Sequence, residues 1–158
     1  MNQVARKEEQ QIQKSETRRS IYALEQCLLD LPEKDKIDPD SCVTHFFAPG
    51  VYVRQFFLPK GMIVTGKIHK TKHISIISFG KVSVTTEGRG IEIIEGPYTF
   101  TNEPGDKRAV YAHEDTLWTT IHPTNETDLE KIEDEVIAKT YAELEGPDQN
   151  LRIEGEYI

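Results

Sequence analysis

The feature that most constrains the fold is the rhythm of residues 43 to 123, where short runs rich in β-branched and aromatic residues recur between Gly and Pro punctuation. The runs are Val43 to Phe47, Val51 to Leu58, Met62 to His69, His73 to Phe79, Val82 to Thr86, Ile91 to Ile94, Tyr98 to Asn102, Lys107 to Ala112 and Thr116 to Ile121. Between them Pro49-Gly50, Gly80-Lys81, Gly88-Arg89-Gly90, Gly96-Pro97 and Pro104-Gly105-Asp106 supply residues suited to tight turns. Strands this short and evenly spaced predict an all-β sandwich or barrel. Several are apolar on both faces, as in Phe56 with Phe57, Ile74 with Ile76 and Ile77, and Ile93 with Ile94. A sheet with one face in water does not need this, so a flanking helix or a second subunit is expected to cover the excess.

The flanks read differently. Residues 1 to 20 are polar and mixed in charge, with Val4 and Ile12 as their only large apolar residues after Met1. From Ile21 a stripe of Ile21, Leu24, Leu28 and Leu31 predicts an amphipathic helix that Pro32 stops, carrying the polar segment as an extension. Such an arm either packs on the flank of the domain or serves oligomerisation and docking. Glu33 to Asp40 reads as a linker. After the last strand, Thr127-Asp128-Leu129-Glu130 reads as a capping box opening a second helix, with Leu129, Ile132, Val136, Thr140 and Leu144 on one face and Gly146-Pro147 as its stop. The tail from Asp148 to Ile158, with Leu151, Ile153 and Tyr157 alternating, reads as an edge strand or a clip onto a neighbour, or else as free chain. The chain thus divides into a helical arm and linker at 1–40, a β domain at 41–123, and a C-terminal helix and tail at 124–158.

Charge and cysteine content narrow the setting. Nineteen Lys plus Arg against 27 Asp plus Glu give a formal charge of −8. That balance opposes a phosphate backbone or an anionic membrane, so neither nucleic acid nor membrane is an expected partner. No stretch is long and apolar enough for a membrane span or a signal peptide. Cys27 and Cys42 have no paired spacing, which fits a reduced cytoplasm.

The chemistry-bearing stretch is Gly66-Lys67-Ile68-His69-Lys70-Thr71-Lys72-His73 followed by Ile-Ser-Ile-Ile-Ser-Phe-Gly80, with Glu103-Pro104-Gly105 further on. From Leu58 to Pro123, about half the chain, this resembles the cupin superfamily. The runs Ala48 to Arg54, Thr65 to Thr71, Glu103 to Ala112 and His113 to His122 resemble small cupin-like proteins of tailed phages and prophages. The resemblance implies an all-β, cupin-like double-stranded β-helix, a jelly-roll barrel flanked by N-terminal and C-terminal helices. Metal cupins place His-x-His, a following Glu and a Gly six residues on in the first motif, and a further His after a Pro-x-Gly turn in the second. On that pattern Lys67 stands at the first His, His69 at the second, His73 at the Glu, and Arg108 at the second-motif His. These four are expected to converge in the barrel mouth.

Two cationic replacements disfavour a metal and favour a phosphate or carboxylate. The candidate ligand-binding residues are therefore Lys67, His69, His73 and Arg108, with Trp118 as core residue or stacking platform. No cofactor is the first expectation. A divalent metal stays open through His69 and His73 if His122, or a carboxylate such as Glu103, completes the shell. Lys67, Lys70 and Lys72 read as a solvated turn or an anion lure, the scattered His45, His113 and His122 as surface or hydrogen-bonded residues rather than catalysts, and Tyr98 and Tyr111 as proton donors only if they face a pocket. No nucleophile elbow, phosphate-binding glycine loop or paired-Cys knuckle is present, so covalent catalysis has no visible nucleophile. Three functions follow. The first is a non-enzymatic homo-oligomer of phage type that assembles or docks on a larger phage particle through its arms, in the bacterial host cytoplasm or the virion. The second is an enzyme or binder for an anionic sugar or nucleotide, with His69 or His73 as base. The third is a metal-dependent cupin with an incomplete ligand set.

Overall fold

A computed structural model describes residues 3–144. The expected edge strand in the 148–158 tail lies outside the described residues. In chain order the elements are α1 (Gln3–Leu29), β1 (Val43–Ala48), β2 (Val51–Leu58), β3 (Ile63–Thr65), β4 (Ile68–His69), β5 (His73–Phe79), β6 (Lys81–Thr86), β7 (Gly90–Glu95), β8 (Tyr98–Asn102), β9 (Arg108–Ala112), β10 (Thr116–Pro123), α2 (Leu129–Val136) and β11 (Ile137–Ala138).

The strands form a five-stranded sheet in the order β1-β2-β10-β5-β8 and a four-stranded sheet in the order β3-β9-β6-β7, all antiparallel. Leaving aside β1 and the short β4, the chain wraps β2, β10, β5, β8 against β3, β9, β6, β7, which is the strand order of a jelly roll. Among the described residues no ladder joins the two sheets, so the expected barrel is a two-sheet jelly roll here. Alternation along each strand turns Leu58, Ile77, Val82, Val84, Val110, Ala112 and Trp118 into one core between the sheets. At Gly80 (φ +96°) the β5–β6 turn passes so close to Asp115 and Thr116 that a Cβ would have no room.

The polar extension before Ile21 is itself helical, and α1 runs unbroken from Gln3, because its Glu, Gln, Lys and Arg residues are good helix formers without a packed face. Ile21 is its one buried residue; polar contacts do the rest of the docking. Arg18 makes a two-bond ion pair with Glu87 (2.8 and 3.0 Å), and the buried Lys107 ammonium donates to Glu25 (2.8 Å). The presumed linker is wound into two 3₁₀ turns, Glu33–Asp35 and Pro39–Cys42. The C-terminal helix is capped by Asp128, whose carboxylate accepts from the Glu130 and Lys131 amides, rather than by Thr127. It stops at Val136, well short of Leu144, because the β-branched Val136-Ile137 pair turns into β11 and pairs with β4 through Ile137↔His69 and Ala138↔Ile68. Met62 to His69 likewise breaks into β3 and β4 around Gly66-Lys67, which frees β4 to take that partner. No described helix is long and apolar enough to cross a membrane.

Candidate metal centre

The core between the sheets is graded. At one end are Ile77, Val82, Ala112 and Trp118; at the other the same inward alternation delivers Thr86 and Arg108 from the second sheet and Tyr52, His122, His73 and Asn102 from the first. Tyr52 pairs with His122 across β2 and β10, and His73 with Asn102 across β5 and β8. The Ile121↔Ile74 pairing between β10 and β5 then sets His122 beside His73. His69 reaches the pair from β4, where its carbonyl accepts from the Gly105 amide (2.8 Å) and its strand is held by β11.

The three imidazoles form a stack-like cluster. Ring centroids are 4.3 Å apart for His69 and His73, 4.5 Å for His73 and His122, and 5.7 Å for His69 and His122. One nitrogen from each lies within 4.8 Å of the others. His73 and His122 are 4% and 2% exposed, so little water reaches them. His73 Nδ1 lies 3.1 Å from the Thr71 carbonyl, which can only accept, so Nδ1 carries the proton and Nε2 keeps its lone pair. Such an orienting bond to the far nitrogen is usual for metal-binding imidazoles. The Nδ1 atoms of His69 and His122 are buried without a hydrogen-bond partner among the described residues.

Electrostatics keep these rings neutral. Burial, followed by the neighbouring His73, His122, Arg108 and Arg54, pushes His69 down to about 3. Burial, then His73 and Arg54, pushes His122 down to about 4. His73 is lowered in the same direction, chiefly by burial. At neutral pH the cluster therefore presents uncharged imidazoles, the protonation state a transition metal requires. The residues fit a divalent transition metal: buried nitrogen donors are grouped, deprotonated and partly unpartnered.

A second ring supports the first. Tyr52 stacks on His122 (5.9 Å), accepts or donates at His45 Nδ1 (2.8 Å), and is covered by Ile132 and Val136 of α2. Arg108 donates to Asn102 and to Asp106 (2.9 Å), and Asn102 donates to Ser75 Oγ (2.7 Å). Asp106 also takes Arg89 (2.8 Å), so the Arg108 charge beside the imidazoles is matched by a carboxylate.

Of the residues expected to converge, His69, His73 and Arg108 do. Lys67 does not: its side chain is 60% exposed and pairs with Glu133 of α2. Trp118 lies in the core, edge-on to Phe100 (5.6 Å) with its indole N–H on Ser75 Oγ (3.0 Å), and is no stacking platform. Glu103 is half exposed and pairs with Lys72 (2.9 Å), so it completes no shell, while Lys70 meets Glu143 (3.7 Å) and the Asp134 carbonyl. The basic cluster is thus paired with acids. His113 bonds Ser83 (2.6 Å) and stays apart from the site, as does Tyr111 against it. His122 belongs at the centre. Its signal was parity: Thr116, Trp118 and Thr120 set the inward face of β10, and His122 continues it.

No protein-family model matches the chain, and no curated protein matches it. Solved structures similar to it include ectoine synthase from P. lautus, at 14% identity and a TM-score of 0.49 over 70% of this chain and 81% of that one. An RmlC-like cupin from Shewanella frigidimarina is similar at 17% identity and 0.44, over 53% and 77% of the two chains. A cupin domain from Bordetella pertussis is similar at 15% and 0.42, over 52% and 91%. At these values the likeness transfers neither metal nor substrate, and the jelly-roll assignment stands on the strand order itself.

Proposed function

We propose that this chain is a small-molecule protein of the cupin type, built around a divalent transition-metal ion held by His69, His73 and His122. The observation that carries the reading is the buried, neutral imidazole cluster with two unpartnered Nδ1 atoms. Left empty, those nitrogens are desolvated without compensation; a shared cation removes the cost. Three protein ligands leave a coordination position for a bound molecule, which the metal would polarise as a Lewis acid. Lys67 points away and Arg108 is matched by Asp106, which leaves Arg54 as the cation that still acts on His69 and His122. The virion-associated reading rests on the sequence resemblance, the replaced metal ligands, the two-faced apolar strands and the polar arms, and the imidazole cluster supports the small-molecule alternative. Metal analysis of untagged protein and of a His122→Phe variant tests the proposal: bound metal in the parent and its loss in the variant are expected, and metal-free parent protein that takes up no ion refutes it.

We also propose that two copies pair through the outer face of the five-stranded sheet. Phe46, Phe57, Ile74 and Phe79 are 39–48% exposed there, and the register places only Val, Leu, Ile, Thr and Gln among them. Near a two-fold axis each residue faces its own copy, so any charge would meet its like. A chain with 29% charged residues that keeps this face free of charge suits self-pairing.

A further inference from the structure

β7 and β8 are the outer edges of their sheets, and between them opens a cavity of about 280 Å³. That lies at the lower end of the range for small-ligand pockets. Val84, Ile94 and Phe100 give it apolar walls, and Thr86 and Arg108, cross-strand partners on β6 and β9, supply its inner polar end. Thr86 is 1% exposed, yet its Oγ1 has no hydrogen-bond partner among the described residues, and neither does the buried Nε of Arg108. The other two guanidinium nitrogens are committed to Asn102 and Asp106. Two buried polar atoms, on adjacent-strand residues that line one cavity and without a partner among the described residues, call for an external acceptor.

We propose that this cavity is a binding site for a small monocarboxylic acid with an apolar or aromatic body, its carboxylate taken by Arg108 Nε–H and the Thr86 hydroxyl. A carboxylate oxygen is the acceptor that gains most from a guanidinium donor in a half-closed site. The apolar part of the wall suits a hydrocarbon body, beside the polar Arg89, Glu95, Tyr98 and Thr101 that also line the cavity. Glu92, opposite Val84 on β7, also lines the cavity, and its charge disfavours a ligand with a second negative group. Arg108 bridges this cavity and the imidazole cluster, because its Asn102 partner is the cross-strand neighbour of His73. The site goes beyond the metal reading and needs no metal.

The test is calorimetric titration of the full chain, treated with chelator so that the metal is out of play. Butyrate and benzoate are the probes, with benzyl alcohol and isophthalate as controls. Saturable binding of an acid at least tenfold tighter than benzyl alcohol is expected. Thr86→Val and Arg108→Lys should each weaken it about fivefold or more, and Glu92→Gln should improve isophthalate relative to benzoate. Thr86→Val is the informative variant if Arg108→Lys fails to fold. No saturable binding of either acid, binding of benzyl alcohol as tight as benzoate, or benzoate affinity unmoved by Thr86→Val overturns the assignment.

Discussion

Acidifying the metal-free protein is expected to destabilise it well above the pH at which carboxylates protonate. An imidazole in the unfolded chain gains its proton near 6.5, whereas folded His69 and His122 hold theirs off until about 3 and about 4. Between those limits the unfolded state binds more protons, so stability present above pH 6.5 drains away as pH falls and levels off once the folded rings protonate. Each pH unit below 6.5 costs about 1.4 kcal/mol per ring, hence about 2 kcal/mol per ring at pH 5. For the two rings that is roughly 4 kcal/mol, a large part of the 5–15 kcal/mol typical of a domain. His73 is lowered too and acts with the same sign. Because the rings touch, they titrate as a set and the steps belong to the cluster. Urea unfolding of chelator-treated protein at pH 7.5, 6 and 5 reads the effect directly. His122→Phe, which keeps an aromatic ring against Tyr52, should remove about one ring's share of the slope. A free energy of unfolding that changes by less than about 1 kcal/mol between pH 7.5 and 5 would refute the desolvated, neutral cluster.

Other substitutions separate structure from site. Arg18→Ala leaves Glu87, 10% exposed, with the Tyr141 hydroxyl (2.6 Å) as its remaining described partner, and should cost about 2–4 kcal/mol in urea unfolding; a loss under 0.5 kcal/mol would show that this clamp between α1 and the C-terminal segment is idle. Lys67→Ala removes an exposed pair and should shift stability by less than about 1 kcal/mol and leave metal content unchanged. Ile132→Ala opens a void beneath Tyr52 and should cost about 2–5 kcal/mol in the same assay. Phe57→Glu puts a charge on the outer sheet face and should give monomers by sedimentation; an unchanged assembly would place the interface elsewhere.

The β domain was legible because its signals are local. Gly and Pro turns bounded runs whose period-two alternation survives in the structure, and β2, β5 and β8 match their expected limits at Val51–Leu58, His73–Phe79 and Tyr98–Asn102. The motif around His69 and His73 marked the right end of the jelly roll. What escaped was set by long-range contact. Lys67 sits one residue before β4, and the pairing of β4 with β11 and the acid on α2 turn it outward, which no local pattern encodes. The C-terminal helix looked longer because Thr140 and Leu144 continue its spacing, but an available ladder partner at Ile68-His69 outweighed helix propensity. His122 was visible only as one of several candidates, since its place depends on β10 running to Pro123 beside β5.

The most direct measurement is elemental analysis combined with native mass spectrometry of untagged protein, purified without chelator, for the parent and for His69→Phe and His122→Phe variants with unchanged circular dichroism. Close to one transition-metal ion per chain is expected in the parent, falling to a trace in each variant. A parent that is metal-free and stays so after incubation with Zn²⁺, Fe²⁺ and Mn²⁺, or variants that retain the parent's metal, would contradict a centre held by His69, His73 and His122.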